Sequence, residues 1–307
     1  MKTNSIKYFN SISEFHQFVS LPAPLHPLIS VVDVGTVPHW HKGEPINMSM
    51  DFYSISVKRM RNYKVKYGQH SFDFNDGIMS FMSPKQVFSI DVDNKGEKVE
   101  KSGWVIYIHP DFVWNTSLAK TIKAYDFWDY SLHESLFLSD KEETIIGSII
   151  DNIDMEYHSN IDKFSKNIII SHIEALLNYA DRFYHRQFIT REKANHEILE
   201  RLDILLTHYF NDDNLVSKGL PTVGNLAGSL NISAKYLSSL LKVLTGQNTQ
   251  QHIHDKLIDK AKEKLSTTNL SISEIAYGLG FEHLQSFSKL FKTKTNQSPL
   301  EFRASFN

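Results

Sequence analysis

The period of the hydrophobic positions changes along this chain. From residue 29 to residue 113, apolar and aromatic residues come in short runs at 52–60, 63–67, 77–82, 86–92 and 104–108. Turn-forming pairs separate them: Tyr67-Gly68, Asn75-Asp76-Gly77, Ser83-Pro84 and Asp93-Asn94-Lys95-Gly96. Short β-branched and aromatic runs between such turns predict strands, and many of them in succession predict a small barrel or sandwich. From residue 142 onward the spacing is helical. Residues 142–157 and 164–186 predict two helices, the second carrying Ile168, Ile169, His172, Ile173, Leu176, Leu177, Ala180, Phe183 and Tyr184. That stripe is longer than one side of a small barrel needs. Ile169, Ile173, Leu176 and Leu177 are accordingly candidates for a dimer surface, with packing inside one chain as the alternative. The mixed-charge stretch 190–196 reads as a hinge, after which Ile198, Leu199, Leu202, Leu205 and Leu206 open a further helical part.

The last third then states one pattern twice. At a shift of 49 residues Val223, Leu226, Ala227 and Leu230 fall on Ile272, Ile275, Ala276 and Leu279. One extra residue enters at the turn, and at a shift of 50 Leu237, Leu240, Leu241 and Lys242 fall on Phe287, Leu290, Phe291 and Lys292. Each copy is an apolar-periodic stretch, a tight turn and a second such stretch, which predicts a helix-turn-helix. Ser271 and Glu274 fit a capping box at the start of the second copy. Gly280 sits where the turn needs positive φ, and Asn231 takes that place in the first copy.

The apolar stripe of each second helix leaves a matching outer face. In the first copy it holds Lys235, Ser238, Ser239 and Lys242, with Tyr236 beside them. In the second it holds Gln285, Ser288, Lys289 and Lys292. Short polar and basic side chains on one face suit base edges and phosphates, and finding that face twice argues against an ordinary solvated surface. Two such units in tandem predict helices in successive major grooves.

The segment from 220 to 302 resembles the DNA-binding domain of AraC-type transcription regulators. The likeness lies in Leu226-Ala227, Ser233, Tyr236-Leu237, Thr245-Gly246 and the stretch from Ile275-Ala276 to Gly280-Phe281. Its most specific part is Phe287-Ser288-Lys289-Leu290-Phe291-Lys292, followed by Ser298-Pro299 and Phe302-Arg303. The resemblance implies two helix-turn-helix units joined by a rigid helix over 249–265, about 25 Å long. Serines 238 and 239 depart from it, since family members often carry longer side chains there; the second unit is therefore expected to carry more of the base readout. A weaker likeness, on Gly77-Ile78-Met79-Ser80-Phe81, Gly103-Trp104 and His109-Pro110, extends the resemblance to a cupin-like N-terminal domain.

The fold implied is multidomain. An N-terminal, mostly-β, cupin-like barrel with flanking helices takes residues 1–140, and a helical dimerisation region takes 141–190. An all-α domain with two helix-turn-helix units and a linker helix takes 191–307. The implied partners are duplex DNA, a small-molecule effector in the barrel, a second copy of the chain, and RNA polymerase where the protein activates transcription. No cofactor is implied.

Charge follows the same division. Residues 217–307 carry a net charge of +5 and residues 1–216 carry −7, an asymmetry hidden in the overall −2. A basic end on an acidic body suits a DNA reader attached to something that does not touch DNA. The absence of cysteine excludes disulfides, thiolate metal sites and a thiol nucleophile. No run approaches the ~18 apolar residues of a membrane span, and the first residues lack an apolar signal core, so a cytoplasmic protein is expected.

An enzyme is the competing class, because cupins can hold a metal. His39-Trp40-His41 with Glu44 looks like part of a ligand set, and His70 and His109 are the local candidates for a third histidine. Pro38 and the Lys42-Gly43-Glu44-Pro45 stretch give loop composition where alternating strand ligands are needed. The alternative reading is a metal-dependent cupin enzyme or ligand-binding protein with an appended helical domain. No Ser/His/Asp set, phosphate-cradling loop or dinucleotide fingerprint is present.

Overall fold

The computed structural model describes residues 6–37, 46–61, 64–67, 70–73, 77–93, 100–160, 162–212 and 215–306. It divides into two compact units, residues 1–187 and 188–307. The proposed ligands His39, His41 and Glu44 lie outside the described residues, as does the side chain of His70.

The first unit opens with β1 (Lys7–Phe9) and α1 (Ile12–Phe18), followed by β2 (Ile29–Asp33), β3 (Ile46–Met50), β4 (Tyr53–Arg61), β5 (Lys64–Tyr67) and β6 (His70–Asp73). Next come β7 (Gly77–Met82), β8 (Val87–Asp93) and β9 (Glu100–Ile108), then the short helices α2 (Pro110–Val113) and α3 (Leu118–Thr121), and β10 (Leu136–Leu138). The long helices α4 (Asp140–His158) and α5 (Ser165–Thr190) complete it, the division falling within the last turn of α5.

The described strands form two five-stranded sheets, ordered β1-β3-β8-β5-β6 and β10-β7-β4-β9-β2. Phe9, Met48, Met50 and Phe88 from the first sheet share one core with Val32, Val105 and Tyr107 from the second, and Ile12 and Phe15 of α1 join it. Rings of Phe9, Phe15, Phe52 and Tyr107 meet mostly edge-on, at centroid distances of 5.1 to 6.1 Å, the arrangement aromatic quadrupoles favour. Gly103 is required within β9: its φ is +115°, and a Cβ there would stand 2.1 Å from the Val57 carbonyl oxygen.

Helix α5 is tied to β10. Gln187 accepts from the Phe137 N–H (2.8 Å) and donates to the Ser135 carbonyl (3.2 Å), while Arg186 donates to the Phe137 carbonyl (2.7 Å) and pairs with Glu142 of α4 (2.7 Å). Tyr184 stacks on Phe127, which packs against Phe81 of β7. This corrects the reading of the long stripe. Ile169 is 5% exposed, and Ile173, Leu176 and Leu177 are 0% exposed. The four side chains are consumed by packing within the single chain and leave nothing to offer a partner. The exposed large apolar residues here are others: Ile145 and Met155 of α4, Ile168 and Ile189 of α5, and Phe164 just before α5.

The second unit is helical: α6 (Glu192–Phe210), α7 (Leu215–Lys218), α8 (Val223–Ser229), α9 (Ala234–Thr245), α10 (Thr249–Thr267), α11 (Ile272–Gly278), α12 (Leu284–Thr295) and α13 (Pro299–Ala304). The stretch read as a hinge is almost all helix, with only Arg191 between α5 and α6. Among the described residues no helix is long and apolar enough to cross a membrane.

Candidate nucleic-acid interface

Both repeats fold into helix-turn-helix units that close in the same way. In the first, α8 and α9, the Thr222 hydroxyl caps the start by accepting from the Asn225 N–H (3.2 Å). In the second, α11 and α12, Ser271 and Glu274 make the reciprocal capping box, with bonds of 3.2 and 2.7 Å. Each turn is sealed by an N–H to carbonyl bond at equivalent places, Ile232 to Ala227 (3.0 Å) and Phe281 to Ala276 (3.1 Å). The positive φ falls on Asn231 (58°) and Gly280 (85°). Gly280 also needs its missing side chain, because a Cβ would lie 3.0 Å from the Gly219 backbone.

The second helices differ in how they begin. Ser233 caps α9 by accepting from the Tyr236 N–H (3.1 Å). The extra residue of the second repeat puts His283 at the start of α12, where its side chain makes no cap bond and is exposed. Helix α9 ends at Gly246 and α12 at Asn296, both in the left-handed region.

One core holds the two units. Leu237 and Leu241 of α9 and Phe287 and Phe291 of α12 are fully buried with Ile253, Leu257, Ile258, Ala261 and Leu265 of α10. Each of these large side chains contributes about 1.5–3 kcal/mol of burial. Because α10 shares a core with both second helices, those helices are fixed relative to one another.

Opposite that core, Lys235 and Lys242 on α9 and Gln285, Lys289 and Lys292 on α12 are exposed. Ser239 and Ser288 are half-buried. Among the described residues Lys242, Lys289 and Lys292 make no ion pair, whereas Lys256, Lys260 and Lys294 pair with Asp203, Glu263 and Asp255. Unpaired lysines on one face are the ones able to neutralise phosphates without first losing a partner. Two expected contacts are placed differently. Ser238 bonds its hydroxyl to that of Thr249, which is 0% exposed, at 3.0 Å. Tyr236 is 6% exposed, its ring edge-on to Phe188 at 5.1 Å. A ring buried to this extent packs the unit.

The residues that sequence reasoning passed over are His283 and Ser286, both exposed in the first turn of α12. That turn is where a recognition helix meets base edges. The signal available was the unaligned residue at the turn.

The family profile described as "Helix-turn-helix domain" matches residues 226–305. An uncharacterized HTH-type transcriptional regulator of Bacillus subtilis, YfiF, is 26% identical over 262 residues, covering 82% of this chain and 77% of that protein. The raffinose operon transcriptional regulatory protein RafR of Pediococcus pentosaceus is 34% identical over 84 residues, covering 27% of this chain and 30% of that protein. Among solved structures, the C-terminal domain of the response regulator yesN from Fusobacterium nucleatum is 30% identical, with 34% of this chain and 95% of that chain covered at a TM-score of 0.30. With the repeats, their capped turns and the shared core, the profile match and the regulator relatives identify residues 226–305 as an AraC-type helix-turn-helix domain and the chain as a DNA-binding transcription regulator.

Proposed function

We propose that the chain binds specific duplex sites by inserting α9 and α12 into successive major grooves, with α12 carrying most of the base readout. The observation behind this is the pair of exposed polar and basic faces mounted on one core through α10. The 19 residues of α10 span about 28 Å, compatible with grooves one helical turn, roughly 34 Å, apart. Gln285, Lys289, His283 and Ser286 are the base-reading candidates; Lys235, Ser239 and Ser288 are secondary, and Lys242 and Lys292 meet phosphates.

In this reading a cupin-like sensor over 1–140 binds a small effector, a helical region over 141–190 supports a homodimer, and 191–307 reads DNA. The protein acts in the cytoplasm, contacts RNA polymerase where it activates, and is a binder and not an enzyme. A dimer contact has to use exposed positions such as Phe164 and Ile168, since the four stripe residues are buried.

Genome-wide mapping of bound sites, followed by salt titration of binding to the recovered sequence, tests the central claim. Specific binding should exceed binding to scrambled duplex and fall steeply with salt. Equal affinity for specific and scrambled duplex at every salt concentration rejects it.

A further inference from the structure

The capped turns recur in both helix-turn-helix copies, but one polar arrangement does not. Asp255, in the second turn of α10, takes a bond on each carboxylate oxygen. Gln247 donates from Nε2 to Oδ2 (2.9 Å), and Lys294 donates from Nζ to Oδ1 (2.5 Å). Gln247 follows Gly246, the left-handed residue that ends α9. Lys294 belongs to the last turn of α12. The C-terminal ends of both recognition helices therefore meet on one carboxylate. At the repeat shift of 50 residues Lys294 falls on the half-buried Leu244, and Asp255 falls on Ser305, past the end of α13. Neither helix-turn-helix needs this set for its own fold, so its place is between the copies.

The core that α10 shares with α9 and α12 holds the copies together, but apolar burial is non-directional. A carboxylate that accepts a bond from each copy adds direction. The α9 side of this joint is itself held. The Thr245 hydroxyl donates to the Leu241 carbonyl (2.8 Å), accepts from the Gln247 N–H (3.2 Å) and lies 2.9 Å from His252 Nε2 of α10. Movement of α12 against this corner has to stretch the Lys294 bond. Burial raises the pKa of Asp255, but the bonds from Lys294 and Gln247 outweigh it and hold the carboxyl below its ordinary value. The group is thus ionised at neutral pH. A partly exposed ion pair of this kind adds little to stability.

We propose that Asp255 is a positioning residue that sets the separation and rotation of the two recognition helices, and with them the spacing of groove elements that the chain accepts. The role rests on the two-groove reading above. One added base pair moves the second element by about 3.4 Å along the duplex and about 34° around it. Electrostatics alone predicts a different result. Removing Asp255 takes away a negative charge and frees a lysine, which should tighten binding to every duplex alike.

The test uses the full-length protein with the mapped site, the same site carrying one base pair inserted between its elements, and sites with either element scrambled. Fluorescence anisotropy gives the affinity ratio between correct and inserted spacing, from which a uniform change in phosphate attraction cancels. The parent should discriminate against the insertion. Asp255→Ala and Lys294→Ala should each narrow the ratio by about threefold to tenfold. Asp255→Ala should bind the single-element sites at least as tightly as the parent. The double variant should narrow the ratio no further than either single change, because the two residues form one contact. Lys294 stands at a helix end, so its variant remains informative if Asp255→Ala does not fold. A parent that tolerates the insertion rejects the two-groove reading and this role with it. A parent that discriminates, with folded variants that discriminate equally, rejects the role alone. So does additive narrowing in the double variant, or a loss of affinity for every duplex in step with thermal stability, the mark of a merely structural pair.

Discussion

The ring of Phe188 meets that of Tyr236 edge-on, with centroids 5.1 Å apart and planes at 72°. Phe188 is 1% exposed, and its carbonyl accepts from the Asn195 side chain at 2.5 Å. The first residue of the DNA-binding unit is thus packed on the first recognition helix, and the residue before it, Gln187, is bonded to β10 in the other unit. One peptide bond separates an anchor in each.

Tyr236 is therefore expected to act through its ring. Tyr236→Phe should keep specific DNA affinity within about threefold, while Phe188→Ala should cost about 3–5 kcal/mol of stability in the DNA-binding unit. Gel shift and thermal unfolding check the pair. A large affinity loss in Tyr236→Phe with unchanged stability would return the hydroxyl to the interface.

Base readout should be unequal between the two helices. Gln285→Ala and Lys289→Ala should each lose about 1–3 kcal/mol of specific binding, and the preferred sequence should relax at the contacted positions. Ser239→Ala should lose less, and Ser238→Ala should act on stability through its bond to Thr249. Binding-site selection on each variant provides the measurement; equal losses at all four positions would reject the asymmetry.

Lys242 and Lys292 lie one turn further along the same exposed faces. Neutralising either should weaken binding to every sequence alike and flatten the salt dependence by about one unit of slope. A changed sequence preference at constant salt slope would mean that they touch bases.

Much of this arrangement was legible in the sequence. The repeat, the capping box at Ser271, the two positive-φ turn residues and the inward stripes Leu237/Leu241 and Phe287/Phe291 all stand in the structure as the spacing predicts. Such features are local, so nearby residues determine them. The strands at 77–82 and 86–92 were legible for the same reason. Strands β1 and β10, three residues each, were not, because they exist through pairing with β3 and β7 rather than through their own composition. Tyr236 was misplaced because helical spacing alone does not show that Phe188 covers that side of α9. The stripe of α5 was misread for a related reason: periodicity shows that a face is apolar but not whether the same chain covers it.

His16 makes the stability of the first unit pH-dependent. Burial lowers its pKa, and the bond to the Pro22 carbonyl only partly offsets this. The folded state thus refuses a proton that the unfolded chain accepts below about pH 6.5. Stability should be full above that value and fall as pH drops below it. His26 is shifted the same way, by burial and then by Lys166. His16→Gln should shrink the loss of Tm between neutral pH and about pH 5.5 relative to the parent, since it removes one of the two groups. An unchanged pH profile in that variant would show that His16 takes up its proton in the folded state.

The burial of Ile173 and Leu177 sets the last expectation. Both are 0% exposed within a single chain, so an aspartate at either site must place a carboxylate in a packed interior. That costs at least about 4 kcal/mol, the range reserved for buried unpaired charge. Ile173→Asp and Leu177→Asp should therefore lower the unfolding temperature of the first unit instead of yielding a folded monomer. Charge at Phe164 and Ile168, which are 56% and 41% exposed, should leave folding intact. If these residues form the dimer contact, the same changes abolish the preference for paired over single half-sites. Sedimentation, thermal unfolding and binding to one-site and two-site duplexes separate the cases. A folded, monomeric Ile173→Asp protein would restore the stripe as the dimer surface, whereas a Phe164/Ile168 variant that stays dimeric would move the contact elsewhere.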